Sequence, residues 1–343
     1  MQINRPSRIN INNARGFLII GVLALALTLS ACAGSKTESV LTPDSAPIIE
    51  TQAVVVVATE AAQEATPSEP LPSATEASEI SPTLPVVYEE GFWKDLPVFP
   101  EELSDRAREI YFEGLALGND PQVVTKIGDC NSKSPDFLAG FGGRYDLGED
   151  FAYLQPTIDY FKPSFRLPNQ TTNPGTTTAR ILVSLWNNDT CLPNEPMIDC
   201  QYRVDNPSIA FILLGTIDAK THQQQPEVFE QNLRVILDET ISRGILPVLV
   251  TKADNIEGDH SINATIARLA LEYELPLWNF WNAAQELTDG GLLPDGEHLN
   301  HWASPPSTDF SLPITMKYGK EVKNLGALKM LHFLMKELPV PNP

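Results

Sequence analysis

A formal net charge of −20 over 343 residues, from 44 acidic and 24 basic side chains, makes nucleic acid an unexpected partner, because so acidic a surface repels phosphate backbones. The hydrophobic content of 42% is sufficient for a real core. The length exceeds one average domain, although α/β enzymes of about 200–250 residues are common. We therefore expect one α/β domain with additional segments.

The N-terminus has the layout of a secretory signal peptide. Arg5, Arg8 and Arg15 form a positively charged region, and the apolar run at residues 17–29 is short for a membrane span. This pattern predicts a signal peptide over residues 1–31.

The apolar run ends in Leu29-Ser30-Ala31-Cys32, which resembles the bacterial lipobox. The resemblance implies that the Cys32 thiol receives a lipid and anchors the protein in the cell membrane, facing the extracytoplasmic side. The alternative is an ordinary signal peptide followed by a chance cysteine. Residues 32–87 are rich in Ala, Thr, Pro and Glu and nearly lack aromatic side chains, which predicts a disordered stalk.

The globular domain is predicted over residues 88–343, where apolar strand patterns alternate with helical patterns. Helices are expected at 101–118, 176–186, 228–243, 261–274 and 322–336, and strands at 123–129, 209–215, 245–251 and 276–280. The strands are continuous apolar runs, as expected for parallel strands buried on both faces. The pattern predicts a three-layer α/β sandwich with a mostly parallel, flavodoxin-like sheet.

Three cysteines remain once Cys32 is set aside as a lipidation site. Cys191 and Cys200 lie nine positions apart around a proline-containing loop and form the natural disulfide pair. Cys130 would then be a free thiol, and the alternative is that Cys130 pairs with one of the other two.

Four segments that follow predicted strands carry polar or glycine motifs. They are Gly128-Asp129-Cys130, the segment around Gly175, Gly215-Thr216-Ile217-Asp218, and Asp295-Gly296-Glu297-His298. In a parallel α/β sheet, ligands bind beyond the carboxyl ends of the strands, so these segments are expected to meet. In order and spacing they resemble the four blocks of the SGNH/GDSL hydrolase family, over nearly the whole domain.

The resemblance implies acyl transfer on an ester. Cys130 stands where the family has its nucleophilic serine, His298 would accept its proton, and Asp295 would orient the imidazole. The oxyanion hole would use the backbone N–H groups of Cys130 and Gly175. A thiol can serve as the nucleophile once it ionises, and Ser132 is the alternative nucleophile.

A second departure from the family is Ile217, which replaces the usual asparagine and cannot donate a hydrogen bond to the oxyanion. Loss of one such donor typically costs about 10²–10³ in rate. Both departures also motivate a second hypothesis, a catalytically degenerate lipoprotein of the same fold with a binding or scaffold role. A solute-binding lipoprotein is a third reading, for which the domain looks too short.

We expect no cofactor and no metal site, because no zinc-type spacing of Cys and His is present, although an Asp295, His298 and His301 cluster is conceivable. The expected partners are a small-molecule or glycan ester and the membrane at the lipid anchor. The protein is expected to be a monomer. The leading hypothesis is an extracytoplasmic, lipid-anchored ester hydrolase that uses Cys130, His298 and Asp295.

Overall fold

The computed structural model describes residues 88–184, 189–302 and 306–338, all within one compact unit, Ser81–Pro343. The predicted signal peptide, Cys32 and the predicted stalk lie outside the described residues, so those predictions remain predictions. Among the described helices, none combines the length and apolar character that crossing a bilayer would require.

A four-stranded parallel sheet forms the centre of the domain. Its strands are β1 (Asp120–Gly128), β2 (Pro207–Leu213), β3 (Leu246–Val250) and β4 (Leu277–Trp278), in the spatial order β1-β2-β3-β4. All three strand pairings are parallel, with Gly128 opposite Leu213 and Ile212 opposite Leu249. The predicted fold class, an α/β domain with a mostly parallel sheet, is confirmed.

A short extended segment adds a rudimentary fifth position to the sheet, outside β1. The amide of Gly128 donates to the carbonyl of Thr171, and Gly128 bridges to Thr172 in the parallel sense. If this segment is counted as strand 2, then β1 is strand 1 and β2, β3 and β4 are strands 3, 4 and 5. The spatial order of the sheet is then 2-1-3-4-5. In this flavodoxin-like order the direction of winding reverses at β1, and ligands bind at the carboxyl ends of the strands beside that reversal.

Helices connect the strands and cover the sheet. The α-helices are α1 (Asp105–Leu117), α2 (Gln155–Phe161), α3 (Thr178–Ile181), α4 (Met197–Asp205), α5 (Ala219–His222), α6 (Pro226–Ser242), α7 (Ser261–Glu272), α8 (Phe280–Gln285) and α9 (Gly319–Glu337). Short 3₁₀ turns occur at Phe92–Asp95, Cys130–Ser132, Ala139–Gly142, Ala152–Leu154, Thr288–Gly291 and Pro313–Lys317.

The helix predicted at 176–186 is wrong for residues 182–184, which are not helical. Among the described residues of that range, only Thr178–Ile181 is helical, because the chain then leaves the helix and pairs with the segment ahead of α4. Ser184 bridges to Pro196, and the amide of Met197 donates to the carbonyl of Val183. These tertiary hydrogen bonds outweigh the local helical spacing.

Two other predicted elements differ in length from the prediction because a side-chain cap sets one of their boundaries. The first helix begins at Asp105 rather than 101, because the Ser104 hydroxyl caps it by accepting from the amide of Ala107. The last strand contains only Leu277–Trp278, because Asn279 turns the chain and caps α8 through the amide of Asn282. Both boundaries depend on a side-chain cap.

The core lies between the sheet and its helices. Every residue of β2 is buried, and Phe211 at its centre packs against Phe137 and Trp278, with ring centroids 6.4 and 6.0 Å apart. Gly326 of α9 lies against the Trp278 ring. Burying one such large apolar side chain contributes about 1.5–3 kcal/mol, so this contact fixes α9 against the sheet.

One lysine of β1 is buried within this core. Only 5% of Lys126 is exposed, and its ammonium donates to Ser134 Oγ at 3.0 Å and to the carbonyl oxygen of Phe137 at 3.2 Å. Burial lowers the pKa of Lys126 from 10.5 to about 8, with Asp205 opposing the shift. The folded state therefore holds this proton less tightly than the unfolded chain does.

The Lys126 pKa predicts a pH dependence of stability. Between about pH 8 and 10.5 the unfolded chain binds more protons at this position, so the folded state gains stability as pH rises. A Lys126→Met variant lacks this gain. Across the window, the parent's free energy of unfolding should rise relative to the variant's by up to about 3 kcal/mol, measured by urea denaturation. The exposed Lys133→Met is the matched control, and a parent–variant difference independent of pH would contradict the argument.

Candidate functional site

The turn after β1 holds the predicted nucleophile. Cys130 begins the 3₁₀ turn Cys130–Ser132, half-buried at the carboxyl end of the sheet. The turn folds back closely on the strand, since a Cβ on Gly128 would lie 2.7 Å from Ser132 Oγ. Glycine at 128 therefore allows the sharp exit that presents Cys130 at the edge of the sheet.

The loop that carries the predicted base comes to the same place. The Cys130 sulfur, a carboxylate oxygen of Glu297 and a ring nitrogen of His298 all lie within 4.8 Å of one another. More than 160 residues of chain separate Cys130 from the other two. The structure thus brings the sequence-predicted thiol and imidazole together, and adds Glu297, which the sequence analysis did not single out.

Asp295 orients the histidine. Its Oδ2 lies 2.9 Å from His298 Nδ1, while its Oδ1 accepts from the backbone amides of Glu297 and His298 at 2.9 and 3.0 Å. These hydrogen bonds, the backbone ones first, lower the pKa of Asp295 to about 2. The carboxylate is ionised at neutral pH, so it can hold Nδ1–H of the imidazole and leave the other nitrogen for chemistry.

Asn131 joins the two loops. Its amide nitrogen donates to the carbonyl of Glu297 at 3.0 Å, and its amide oxygen accepts from the backbone N–H of Leu299 at 3.1 Å. Asn131 follows the nucleophile position directly, and its two bonds bracket His298. The separation of Cys130 and His298 therefore depends on this one side chain.

The thiol itself is held in its neutral form. Burial, followed by the carboxylates of Asp129 and Glu297, raises the pKa of Cys130 to about 11, and Lys323 opposes the shift only in part. The sulfur is therefore not a preformed thiolate at neutral pH. Nucleophilic attack at neutral pH would need proton transfer from the thiol to His298 as the attack occurs.

Buried charges lie beneath the turn. Lys323 of α9 donates to the carbonyl of Asn131 at 3.0 Å and to Ser132 Oγ at 3.3 Å. Burial lowers the pKa of Lys323 to about 8, while Asp129, Cys130 and Asp254 act to raise it. Burial also raises the pKa of Asp129 to about 6. The lysine supports the turn from below and partly balances the carboxylates around it.

A second group of buried charges lies just after the ends of β2 and β3. The Thr216 hydroxyl donates to Asp254 Oδ2 at 2.7 Å, and Lys252 forms ion pairs with Asp254 at 2.8 Å and Glu257 at 2.6 Å. All four side chains are buried. Because removing one partner of a buried ion pair is strongly destabilising, this network gives the strand ends a fixed arrangement.

The other two cysteines and Ser132 have structural roles. Cys191 and Cys200 form a disulfide, as predicted, which leaves Cys130 as the free cysteine among the described residues. Ser132, the alternative nucleophile, is fully buried and accepts from Lys323. A buried hydroxyl cannot meet a substrate, so Cys130 is the better candidate.

The predicted oxyanion donors are the backbone N–H groups of Cys130 and Gly175. Gly128, two residues before Cys130, pairs with Thr172, three residues before Gly175, and Gly175 has φ +80°, a conformation that favours glycine. Ile217 is half-buried in the third segment and offers no side-chain donor. The neighbouring Asp218 is buried and accepts from the amide and hydroxyl of Thr178, so it holds two loops together.

A cavity of about 330 Å³ opens beside these loops. It lies between the chain that follows the Cys130 turn and the segment that precedes Gly175. Its lining residues are Lys133, Ser134, Pro135, Ala139, Arg166, Leu167, Pro168, Asn169, Thr172 and Asn173. Its polar groups and its position make it a candidate for the part of a substrate remote from Cys130.

Sequence reasoning missed Asn131, Lys323 and Glu297. None is one of the residue types that define the four blocks of the resemblance. Their roles come from contacts across more than 160 positions. Glu297 alone had a local signal, since it lies inside the Asp295–His298 segment. His301 is not part of the Cys130 cluster, so the conceivable Asp295, His298 and His301 grouping is not the one that the described residues form.

No family model matches the chain, and no curated protein matches it. Solved structures give low similarity. A catalytic mutant of an acetylxylan esterase from Geobacillus stearothermophilus matches with 14% identity and TM-score 0.39, over 61% of this chain and 93% of that one. An acetyl esterase mutant with acetate ion matches with 15% identity and TM-score 0.37, over 61% and 97%.

A psychrotrophic esterase from Pseudoalteromonas sp., inhibited by monoethylphosphonate, matches with 14% identity and TM-score 0.35, over 63% of this chain and 97% of that one. Identities and TM-scores at this level support no functional argument.

The Asn131 bridge makes a direct prediction. Asn131→Ala removes two hydrogen bonds, each worth about 1 kcal/mol, so the free energy of unfolding should fall by about 1–2 kcal/mol. Hydrogen exchange at the Leu299 amide should accelerate about tenfold or more, because that amide loses its acceptor. Asn255→Ala is the matched control, since it removes a side-chain amide that accepts a hydrogen bond from the backbone N–H of His260 in another loop. Unchanged Leu299 protection in Asn131→Ala would contradict the bridge.

Proposed function

We propose that the chain is an ester hydrolase of the SGNH type that uses cysteine in place of serine. The observation that carries the proposal is the Cys130 sulfur within 4.8 Å of a His298 ring nitrogen, together with Asp295 Oδ2 at 2.9 Å from His298 Nδ1. Nucleophile, base and orienting carboxylate in this order are the parts that covalent acyl transfer requires.

In the proposed reaction, His298 takes the thiol proton as Cys130 attacks the ester carbonyl. The tetrahedral intermediate collapses to a thioester on Cys130, and His298 gives the proton to the departing alcohol. His298 then deprotonates a water molecule, which attacks the thioester and releases the acid and the free thiol. Asp295 keeps the imidazole oriented and stabilises its charged form throughout.

The backbone N–H groups of Cys130 and Gly175 would stabilise the oxyanion. Ile217 leaves the third donor position empty, so a moderate rate is expected. Because the thiol pKa is about 11, deprotonation of Cys130 at neutral pH depends on His298. Loss of the base should therefore harm activity as much as loss of the nucleophile.

We propose small acyl esters of carbohydrates as the substrate class. Asp295 and His298 are each more than 40% exposed in their side chains, so a bulky alcohol can approach the base from solvent. Trp302 is half exposed close behind the histidine loop and could stack on a sugar ring. The cavity of about 330 Å³ has room for further parts of the alcohol.

We also propose that the protein is a lipoprotein on the extracytoplasmic side of a membrane. The sequence of residues 1–32 supports this, since it has the charged, apolar and cysteine parts of a lipoprotein signal in order. The Cys191–Cys200 disulfide is compatible with it, because disulfides persist mainly in oxidising compartments.

The catalytic proposal is tested on the full chain in mild detergent with a short-chain aryl ester. Cys130→Ala and His298→Ala should each lower kcat/KM by at least about 10³-fold, since each removes a group that acts in the same step. His301→Ala, a histidine three positions away, is the control and should retain activity.

Activity that survives Cys130→Ala would overturn the nucleophile. A folded parent that hydrolyses neither the aryl ester nor acetylated glycans would favour the second hypothesis, a binding or scaffold protein, which Ile217 and the high thiol pKa motivate.

The anchor has its own test. When the full chain is expressed in a bacterial host fed labelled palmitate, the parent should incorporate label and sediment with membranes, and Cys32→Ser should do neither of these. Cys130→Ser is the control and should keep its label. Equal labelling of Cys32→Ser and the parent would rule out lipidation at Cys32.

A further inference from the structure

The cluster around Cys130 offers three different ligand atoms to one point in space. The sulfur of Cys130, a carboxylate oxygen of Glu297 and a ring nitrogen of His298 are mutually within 4.8 Å, and each residue is half-buried. Around a tetrahedral zinc ion, with bonds of about 2.0–2.3 Å, ligand atoms lie roughly 3.3–3.6 Å apart. A small contraction of the cluster would therefore produce zinc coordination.

We propose that Cys130, Glu297 and His298 bind a zinc ion, which reversibly blocks the thiol and the imidazole. Thiolate, imidazole and carboxylate are the three ligand types that zinc takes from proteins, and three protein ligands leave a fourth position for water. Zinc binding stands on the cluster alone, whereas the block on hydrolysis rests on the proposed function.

The surroundings supply the support that a metal-binding histidine requires. Asp295 Oδ2 lies 2.9 Å from His298 Nδ1, so it can hold Nδ1–H and leave the opposite ring nitrogen for the ion, as in a carboxylate–histidine–zinc arrangement. Asn131 holds the backbone of Glu297 against the turn that carries Cys130, at 3.0 Å. The ligand-bearing loops are thus already joined before a metal arrives.

Competing interactions at the ligands are weak. The Cys130 sulfur is not in a disulfide. Glu297 Oε1 is 3.0 Å from Lys220, but that lysine is half exposed, and such surface ion pairs contribute little. A second carboxylate oxygen remains for the ion.

The substitution of cysteine for the family's serine creates the site. A neutral hydroxyl is a poor zinc ligand, whereas a thiol that gives up its proton on binding is a strong one. Cys130→Ser, which preserves size and the proposed hydrolytic geometry, is therefore the matched variant. The sequence pattern indicates no metal site because Cys130 lies more than 160 positions from Glu297 and His298.

The test uses the full chain in mild detergent with Cys32→Ser, so that Cys130 is its one unpaired cysteine. Cobalt(II), a spectroscopic substitute for zinc, is titrated while the thiolate-to-metal charge-transfer absorption is followed, and zinc is then added to displace it. We expect one cobalt per chain, an absorption that Cys130→Ser abolishes, and affinity at least tenfold weaker in Glu297→Gln and Asp295→Asn. Glu286→Gln is the control for loss of a surface carboxylate.

Absence of the thiolate absorption in a folded parent would overturn the proposal, and so would its persistence in Cys130→Ser or an unweakened Glu297→Gln. Circular dichroism checks that each variant is folded. Hydrolysis is measured separately with zinc and with a chelator. Zinc binding without measurable hydrolysis would leave the metal site standing and reject the proposed esterase, whereas hydrolysis without zinc binding would do the reverse.

Discussion

Two hydrogen bonds made by one side chain hold the candidate site together. Asn131 donates to the carbonyl of Glu297 and accepts from the amide of Leu299, so the turn after the first strand is tied to a loop more than 160 residues later. His298 lies between these two attachment points. Neither Cys130 nor His298 can move far from the other while the bridge is intact. The turn that carries Asn131 leaves β1 at the carboxyl edge of the sheet, beside the reversal of winding, and the histidine loop comes to this turn after α8 and the 3₁₀ turn Thr288–Gly291.

The same edge also carries an unusual amount of buried charge. Asp129, Asp254 and Lys323 lie beneath the turn, and the pKa values of Asp129 and Lys323 are shifted towards neutrality by burial. The thiol above them is surrounded by carboxylates and keeps its proton. A serine hydroxyl would be neutral at this position in any case, so the surroundings fit a neutral nucleophile that a base activates. Cysteine retains that arrangement and adds the capacity to bind a soft cation.

Much of the fold could be predicted from the sequence, and much of the site could not. The strands are buried on both faces, so they are continuous apolar runs with clear ends, and the residues after those ends include Cys130. Asp295 and His298 contact each other within one loop, which a short spacing can indicate. Lys323, by contrast, occurs on a helix whose sequence does not show which side is buried. Asn131 and Glu297 acquire their roles only through contacts between distant segments. The early end of α3 comes from a nearer contact, the bridge between Ser184 and Pro196.

In the proposed reaction the Cys130 sulfur receives the acyl group, with His298 as its base. The most direct test is to mix the full chain with a slowly hydrolysed aryl ester, quench with acid and map the acylated peptide by mass spectrometry. We expect a single acyl group on the peptide that contains Cys130, and no such adduct in His298→Ala. An acyl group on Ser132 or elsewhere, or equal acylation of Cys130 in His298→Ala, would contradict it.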